Sequence, residues 1–506
     1  MNRSSGFTYS GHCVPALSPD GTWIAYILSS SLVFRRSDLS TKQVVPLSPD
    51  FSRLVQGILW DENTSEGAVA VFTRSQAQIY LFDESVSEFT CSATIKDDIT
   101  GFQWASSASE ELVRVATMSP DFVRLWSSDG IEKEIINPKW PQVLGGPAKG
   151  YISSVTRHGT ADEISIFSTL SGRYYKFPFE GILDAKQAKW SPKGSFLAVV
   201  DTSALGYRVH IYGAEGSLLK AYRGHSDDQV EGGEFGVDTI EWIPGASDNE
   251  RLAIGDEHEE VTILDTANFS APVILKHGSI QDGVPIWVEA TRSSVVHYNL
   301  VSAPYIPPQL RHSTDVTTGI VALKVSPNGI MLGTVTESMP STVWVWYLDG
   351  DNTYLASVMC HSYPISSIEW NGQWLYTVCP GSKLVGRWSI STAPMLTALD
   401  DFDSLSGATV RGRFTLFYNR NVFSIAQDED EPEHEQDEED QKDLVGQDQE
   451  NQEDEGISMR EREGSPQMLL DDDTNVQEIV KTVQQSEWCE PAEALHPDDT
   501  FTRKRN

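Results

Sequence analysis

Trp190-Ser-Pro-Lys-Gly-Ser-Phe-Leu-Ala-Val-Val200, followed by Tyr207-Arg-Val-His-Ile-Tyr212, is the stretch on which the fold is read. An anchoring Trp is followed by Ser-Pro-Lys-Gly, which closes a turn, and then by two short apolar runs. Pro holds φ near about −65°, and Gly takes the place where a larger residue would be strained, so the turn joins two strands of a hairpin. The β-branched and aromatic runs that follow have the length and character of strands.

The same cassette recurs. Leu17 precedes Ser18-Pro19-Asp20-Gly21, and Val325 precedes Ser326-Pro327-Asn328-Gly329; Trp60, Trp104, Trp242 and Trp370 are further anchors. From Leu17 to Trp370 the successive separations are 43, 44, 86, 52, 83 and 45 residues. The two doubled gaps imply degenerate units near Val155 and Trp287. A second mark, a strand ending at Phe82, Trp126, Tyr212 or Leu264, lies 22 residues after its anchor in each of four cases, and the strand ending at Trp346 lies 21 after Val325. A unit of roughly 43 residues with about four strands matches one blade of a WD-type propeller. A lone blade cannot bury both faces, so the units must pack side by side into a ring.

The expected fold class is therefore all-β: a WD-repeat β-propeller of about nine to ten four-stranded units over residues 1–426, with those near Val155, Trp287 and Val410 weak. That number exceeds the common ring of four to eight blades and falls short of two seven-bladed rings, so one large ring is favoured. Residues 282–315, with Pro285, Pro304, Pro307 and Pro308, are the most irregular internal segment.

Composition narrows the function. Hydrophobic residues make up 39% and aromatics 10%, which excludes wholesale disorder. Lys and Arg total 38 against 73 Asp and Glu, a formal charge of −35 that disfavours nucleic acid and membrane partners. Residues 427–506 hold 27 of the acidic and 7 of the basic side chains, and Asp428–Glu455 has 16 acidic residues in 28 positions. Such a segment repels itself and buries nothing, so a disordered acidic C-terminal tail is expected. Within it Val476, Ile479, Val480 and Val483 have helical spacing, for which accident in a flexible tail is the simpler reading. The five cysteines show no C-x-x-C pair, which supports neither a disulfide framework nor a Cys-based zinc site. Met1–Ser10 lacks an apolar signal core and no apolar run reaches the roughly 20 residues that span a bilayer, so a soluble intracellular chain is expected.

Catalytic signatures are absent: there is no P-loop, no H-E-x-x-H and no G-x-S-x-G. Gly232-Gly233-Glu234-Phe235-Gly236 reads as an inter-blade loop. Asp256-Glu257-His258-Glu259-Glu260 holds metal-ligand chemistry, but at the tip of a hairpin its charges are simply hydrated. Gly224-His225 has the Gly-His mark of WD repeats, where the imidazole ties strands together. No catalytic residue, metal ligand, cofactor or small-molecule substrate is assigned. The partner-binding candidates are Met339, Pro340, Trp344 and Trp346, although core packing is the default for both indoles. Strand alternation is expected to let at most one of the two face a given neighbouring blade.

Particular segments carry a resemblance. Thr318-Gly-Ile-Val-Ala-Leu-Lys-Val-Ser-Pro-Asn-Gly329 with Met339-Pro-Ser-Thr-Val-Trp-Val-Trp346 resembles a blade of the centrosomal and spindle-pole WD-repeat family whose animal gene lies antisense to tumour protein p-seventy-three. Tyr207–Tyr222 is similar to that family's mid-chain strand and hairpin, and Pro364–Trp370 with Gly381–Trp388 to its penultimate blade. The unit after Tyr151 is shorter than the family's, and the acidic tail has no counterpart. The resemblance implies a non-catalytic adaptor in the cytoplasm and cytoskeleton, at the spindle pole body or centrosome. There, members act with a coiled-coil microtubule-anchoring protein, and in fungi with a minus-end-directed kinesin, to anchor microtubule minus ends and support mitotic spindle assembly. The alternative from another process is a translation-initiation or RNA-associated propeller scaffold.

Overall fold

Each Ser-Pro-x-Gly turn closes as its chemistry requires. Gly21, Gly194 and Gly329 donate their N–H to the carbonyls of Ser18, Ser191 and Ser326 at 2.9, 2.8 and 2.9 Å, and all three glycines have positive φ. The serine hydroxyls accept from the first strand residues after the turn, Trp23, Phe196 and Met331. A side chain at two of these glycines would also strike the neighbouring blade: a Cβ on Gly329 would lie 2.0 Å from the Pro244 carbonyl oxygen, and one on Gly21 2.5 Å from that of Arg411. The turn is therefore set both by its own backbone and by the packing of adjacent units.

In a computed structural model the described residues are 2–427 apart from 5, 63–66, 106–113, 141, 143, 147–150, 170, 225–235, 246–248, 268, 270–272, 279, 281, 294, 306, 308–318 and 350–351. Their strands form nine antiparallel blades: blade 1 (16–46), blade 2 (57–96), blade 3 (101–136), blade 4 (144–178), blade 5 (185–222), blade 6 (237–276), blade 7 (320–360), blade 8 (367–398) and blade 9 (407–427). Blade 9 has three strands of its own and receives its outer edge from the amino terminus, where Asn2–Arg3 and Phe7–Thr8 both pair with Val422–Gln427. That exchange closes a single ring, since an open end would leave a sheet face and edge bare. Among the described residues one α-helix, Pro49–Leu54, sits between blades 1 and 2, capped by the Ser48 hydroxyl, which accepts from the Phe51 N–H at 3.3 Å.

The anchor residues stitch the ring together. Each lies on the first strand of its blade, and at most junctions the first strands of neighbouring blades touch. The indole N–H of Trp60 donates to the Ala16 carbonyl, Trp104 to Leu59, Trp242 to Lys189 and Trp370 to Lys324, each at 3.0 Å and each to the first strand of the preceding blade. Trp190 reaches the Ser153 hydroxyl in blade 4 at 2.7 Å instead. Trp suits the place because its ring fills the wedge between two sheets while its N–H finds a partner; each such bond contributes about 1 kcal/mol beyond the burial of the ring.

Two weak units resolve differently. The one around Val155 is a complete four-stranded blade, with Tyr151–His158 and Ala161–Ser168 at its centre and Val155, Ile164 and Ile166 buried against blade 5. The one around Trp287 is not a blade. Ile286–Arg292 and Val295–Val301 form a hairpin that adds to the outside of blade 7, pairing in parallel with Asn352–Cys360 at Ile286–Val358, Trp287–Met359 and Val288–Cys360. The second gap therefore holds an added edge, because two strands alone cannot cover both faces of a wedge.

Candidate partner-binding surface

The four residues singled out by sequence lie in or beside the wedge between blades 6 and 7. Met339, Trp344 and Trp346 are buried in one core cluster with Ile263, Leu275 and Leu332, and Pro340 is half-buried. The two indoles are stacked, centroids 6.4 Å apart and 15° between planes, so the expected division of faces does not hold. Residues two apart on a strand point the same way, and the register shift between Val345 and Trp346 does not reverse them. Their common face is turned to blade 6, where His277 meets both rings edge-on at 5.3 and 5.4 Å.

These groups form a directed chain of hydrogen bonds. Trp346 Nε1 donates to the Thr334 hydroxyl at 3.0 Å, and that hydroxyl lies 2.8 Å from His277 Nε2. His277 Nδ1 bonds the Glu259 carbonyl oxygen; a carbonyl accepts, so the proton sits on Nδ1 and Nε2 accepts from Thr334. Burial pushes the His277 imidazole down to about 4, which keeps it neutral. Blade 3 repeats the device with a different end: Trp126 Nε1 donates to the Thr117 hydroxyl at 2.8 Å, which donates to Asp97 at 2.6 Å, and Arg124 pairs with the same carboxylate at 2.5 Å. Sequence reading assigned the strand-tying role to His225, which lies outside the described residues, and missed His277. Its position directly after the outer strand Val273–Lys276 was the available signal.

Other polar groups are also engaged in holding the ring. Asp162, whose carboxylate is fully buried, takes Lys139 Nζ at 2.5 Å, Arg157 Nε at 2.8 Å and the Ala185 N–H at 2.8 Å, and Asp184 closes the network from the connection to blade 5. Burial acts to raise the Asp162 carboxyl, but the bonds from Arg157, Lys139 and Ala185 outweigh it and hold the group below its ordinary range. On first strands, Lys189 pairs with Glu241 at 2.8 Å and Lys324 with Glu369 at 3.7 Å. In the acidic segment 256–260, Asp256 accepts the N–H groups of His258 and Glu260, and Glu259 reaches blade 7 to accept from the Ser338 N–H and hydroxyl at 2.8 and 2.6 Å. Those carboxylates act as turn and inter-blade ties. Among the described residues, no group of three or more His, Cys, Asp or Glu side chains is placed to hold a metal ion.

Repetition breaks at the added hairpin. Glu289 and Tyr298 on its two strands enclose His361 of the connection between blades 7 and 8: His361 Nδ1 lies 3.6 Å from the Glu289 carboxylate, the Tyr298 hydroxyl lies 3.4 Å from the ring nitrogens, and the Ser362 N–H donates to Glu289 at 3.2 Å. The strand Val295–Val301 lies against Thr392–Ala398 of blade 8. The hairpin thus bridges the rims of two blades and leaves Val295, Leu300 and the blade 8 residue Met395 exposed. This is the part of the described surface least like the repeating blades.

No protein-family model matches the chain. It is similar to an uncharacterized WD repeat-containing protein of Schizosaccharomyces pombe, 22% identical over 386 residues that cover 72% of this chain and 74% of the relative. Among solved structures, a eukaryotic initiation factor has a TM-score of 0.48 at 13% identity, covering 76% of this chain and 87% of its own. Hsv2 of Kluyveromyces lactis has a TM-score of 0.39 at 11% identity, covering 70% and 99%. The nine blades and their recurrent anchors make the described residues a β-propeller with WD-type repeats, in keeping with the likeness to that WD repeat-containing relative.

Proposed function

We propose that this scaffold is a non-catalytic adaptor at a microtubule organizing center, the spindle pole body or centrosome, where it helps anchor microtubule minus ends and supports spindle assembly. Its partners in this reading are a coiled-coil microtubule-anchoring protein and a minus-end-directed kinesin. The carrying observation is that the conspicuous polar side chains, from the Trp346–Thr334–His277 chain to the Asp162 network, are committed to joining blades. What remains is a rigid exterior, which binds with little ordering cost. The cellular destination rests on the resemblance of segments 207–222, 318–346 and 364–388. The net charge of −35 works against direct attachment to an acidic microtubule lattice and favours attachment through another protein. Proximity labelling from the full chain in mitotic cells tests the reading. Enrichment of a coiled-coil pole protein is the expected result; ribosomal subunits without pole components would overturn it in favour of a translation scaffold.

A further inference from the structure

Blade 5 carries a group of basic side chains with one carboxylate, Asp201, beside it. Its third strand, Val209–Gly213, pairs with the outer strand Leu218–Tyr222 at Val209–Tyr222 and His210–Ala221, so the next step in that register sets Arg208 across from Arg223. Opposed residues share a face, as do residues two apart, which puts Arg208, His210 and Arg223 together. Like charges directly opposed destabilise a sheet. Arg208 has the Asp201 carboxylate 3.7 Å away, but those oxygens already accept from the N–H groups of Leu183, Asp184 and Thr202 at 3.2, 2.9 and 3.0 Å. Arg223 is exposed and pairs with no carboxylate among the described residues.

His210 supplies the second, independent observation. The residue is 2% exposed, and its Nδ1 lies 2.9 Å from the Glu180 carbonyl oxygen, so that nitrogen carries the proton. Nε2 is then a buried lone pair, and it has no partner. Two guanidinium groups on the strand face that carries such an acceptor match the chemistry of an oxyanion that also carries or recruits a proton. We propose that Arg208, His210 and Arg223 form a subsite for a phosphate monoester carried on a partner protein. The P–OH of a monoanion donates to Nε2, or Nε2 takes a proton from solvent and donates to a dianion; either way one proton enters with the ligand.

Leu183 points to a peptide as the bearer. It is 59% exposed, and its own N–H is bonded to the Asp201 carboxylate that lies near Arg208, so an apolar contact stands beside the basic group. An anionic bilayer fits poorly, because residues 1–426 hold 46 acidic against 31 basic side chains. The bearer's being a protein rests on the scaffold reading; the anion chemistry does not.

The groups facing His210 are Arg208 and Tyr212 from its own strand, Asp201 from the second strand, Arg223 from the outer strand and the Glu180 carbonyl from the connection to blade 4. Burial and then Arg223 push its imidazole below the ordinary value, against the opposing bond to the Glu180 carbonyl. Calorimetric titration of the purified full chain with inorganic phosphate, sulfate and a synthetic phosphoserine-leucine peptide tests the proposal. The phosphopeptide is expected to bind at least about tenfold more tightly than its unphosphorylated form, and Arg223→Ala to weaken it about tenfold, the loss of one charge-assisted contact. Sulfate does not titrate in this range, so its affinity is expected to rise as pH falls from about 8 to about 6, and His210→Gln to flatten that slope. Equal binding of both peptides, or an unchanged affinity in Arg223→Ala, would overturn the subsite. Tighter binding to phosphatidylserine vesicles than to the phosphopeptide would overturn the peptide bearer. The titration is independent of what labelling recovers in cells, so either idea can fail alone.

Discussion

Replacing Thr334 by Val removes one oxygen from the middle of the Trp346–Thr334–His277 chain and leaves the side-chain shape almost unaltered. Thr334 is fully buried, and its hydroxyl bonds both the indole at 3.0 Å and the imidazole at 2.8 Å. Valine orphans Trp346 Nε1 and His277 Nε2 together. Each unsatisfied group costs about 1–3 kcal/mol, and the added methyl returns about 1 kcal/mol, so the expected loss is about 1–5 kcal/mol. Thr334→Ser keeps the hydroxyl and loses only the methyl, about 1 kcal/mol. Urea unfolding of the full chain, with Trp346→Phe added to complete a double-mutant cycle, measures these terms, and a coupling of about 1–2 kcal/mol is expected between the two positions. If the valine variant is as stable as the parent, if serine is as damaging as valine, or if the cycle shows no coupling, then the hydrogen-bond chain does not tie blade 7 to blade 6.

Glycine substitutions separate backbone strain from blade contact. Gly159→Ala meets positive φ alone, with open space around the new methyl, and is expected to cost about 1 kcal/mol, whereas Gly329→Ala adds the clash with Pro244 and should cost at least about 3 kcal/mol in urea midpoints. Acid should weaken the ring through His277. Its folded imidazole titrates at about 4 against about 6.5 when unfolded, so below about pH 6.5 the unfolded chain binds the proton first. Stability is complete above that value and declines towards pH 4 by about 3 kcal/mol, a slope that His277→Gln should flatten when unfolding is followed across pH. Deleting residues 428–506, which carry a large excess of negative charge, should leave the calorimetric unfolding midpoint unchanged; a drop of several degrees would show that the segment packs on the ring.

Much of the architecture was legible because its causes are local. The turns at Ser18, Ser191 and Ser326 form from four neighbouring residues, and the strands after them from short, largely apolar runs of six. The candidate site was less legible. Met339, Trp344 and Trp346 were conspicuous as a cluster, but prominence in sequence reflected commitment to the core. His277, which organises that core, sits in an unremarkable segment and acquires its role only because Thr334 and both indoles are brought to it from 57 or more residues away.

Sequence alone determined that this chain is a succession of four-stranded units with turns of one kind, since those features depend on residues within a few positions of each other. It also located the place where repetition fails, at residues 282–315. Whether a pair of strands there became a blade or an edge was a tertiary decision, settled by parallel pairing with Asn352–Cys360 and by the Glu289–His361–Tyr298 cluster. Closure into one ring of nine was likewise decided by contacts between the two ends of the described chain. Hydrogen bonds and wedge packing between remote segments are pairwise facts, and no single segment contains them.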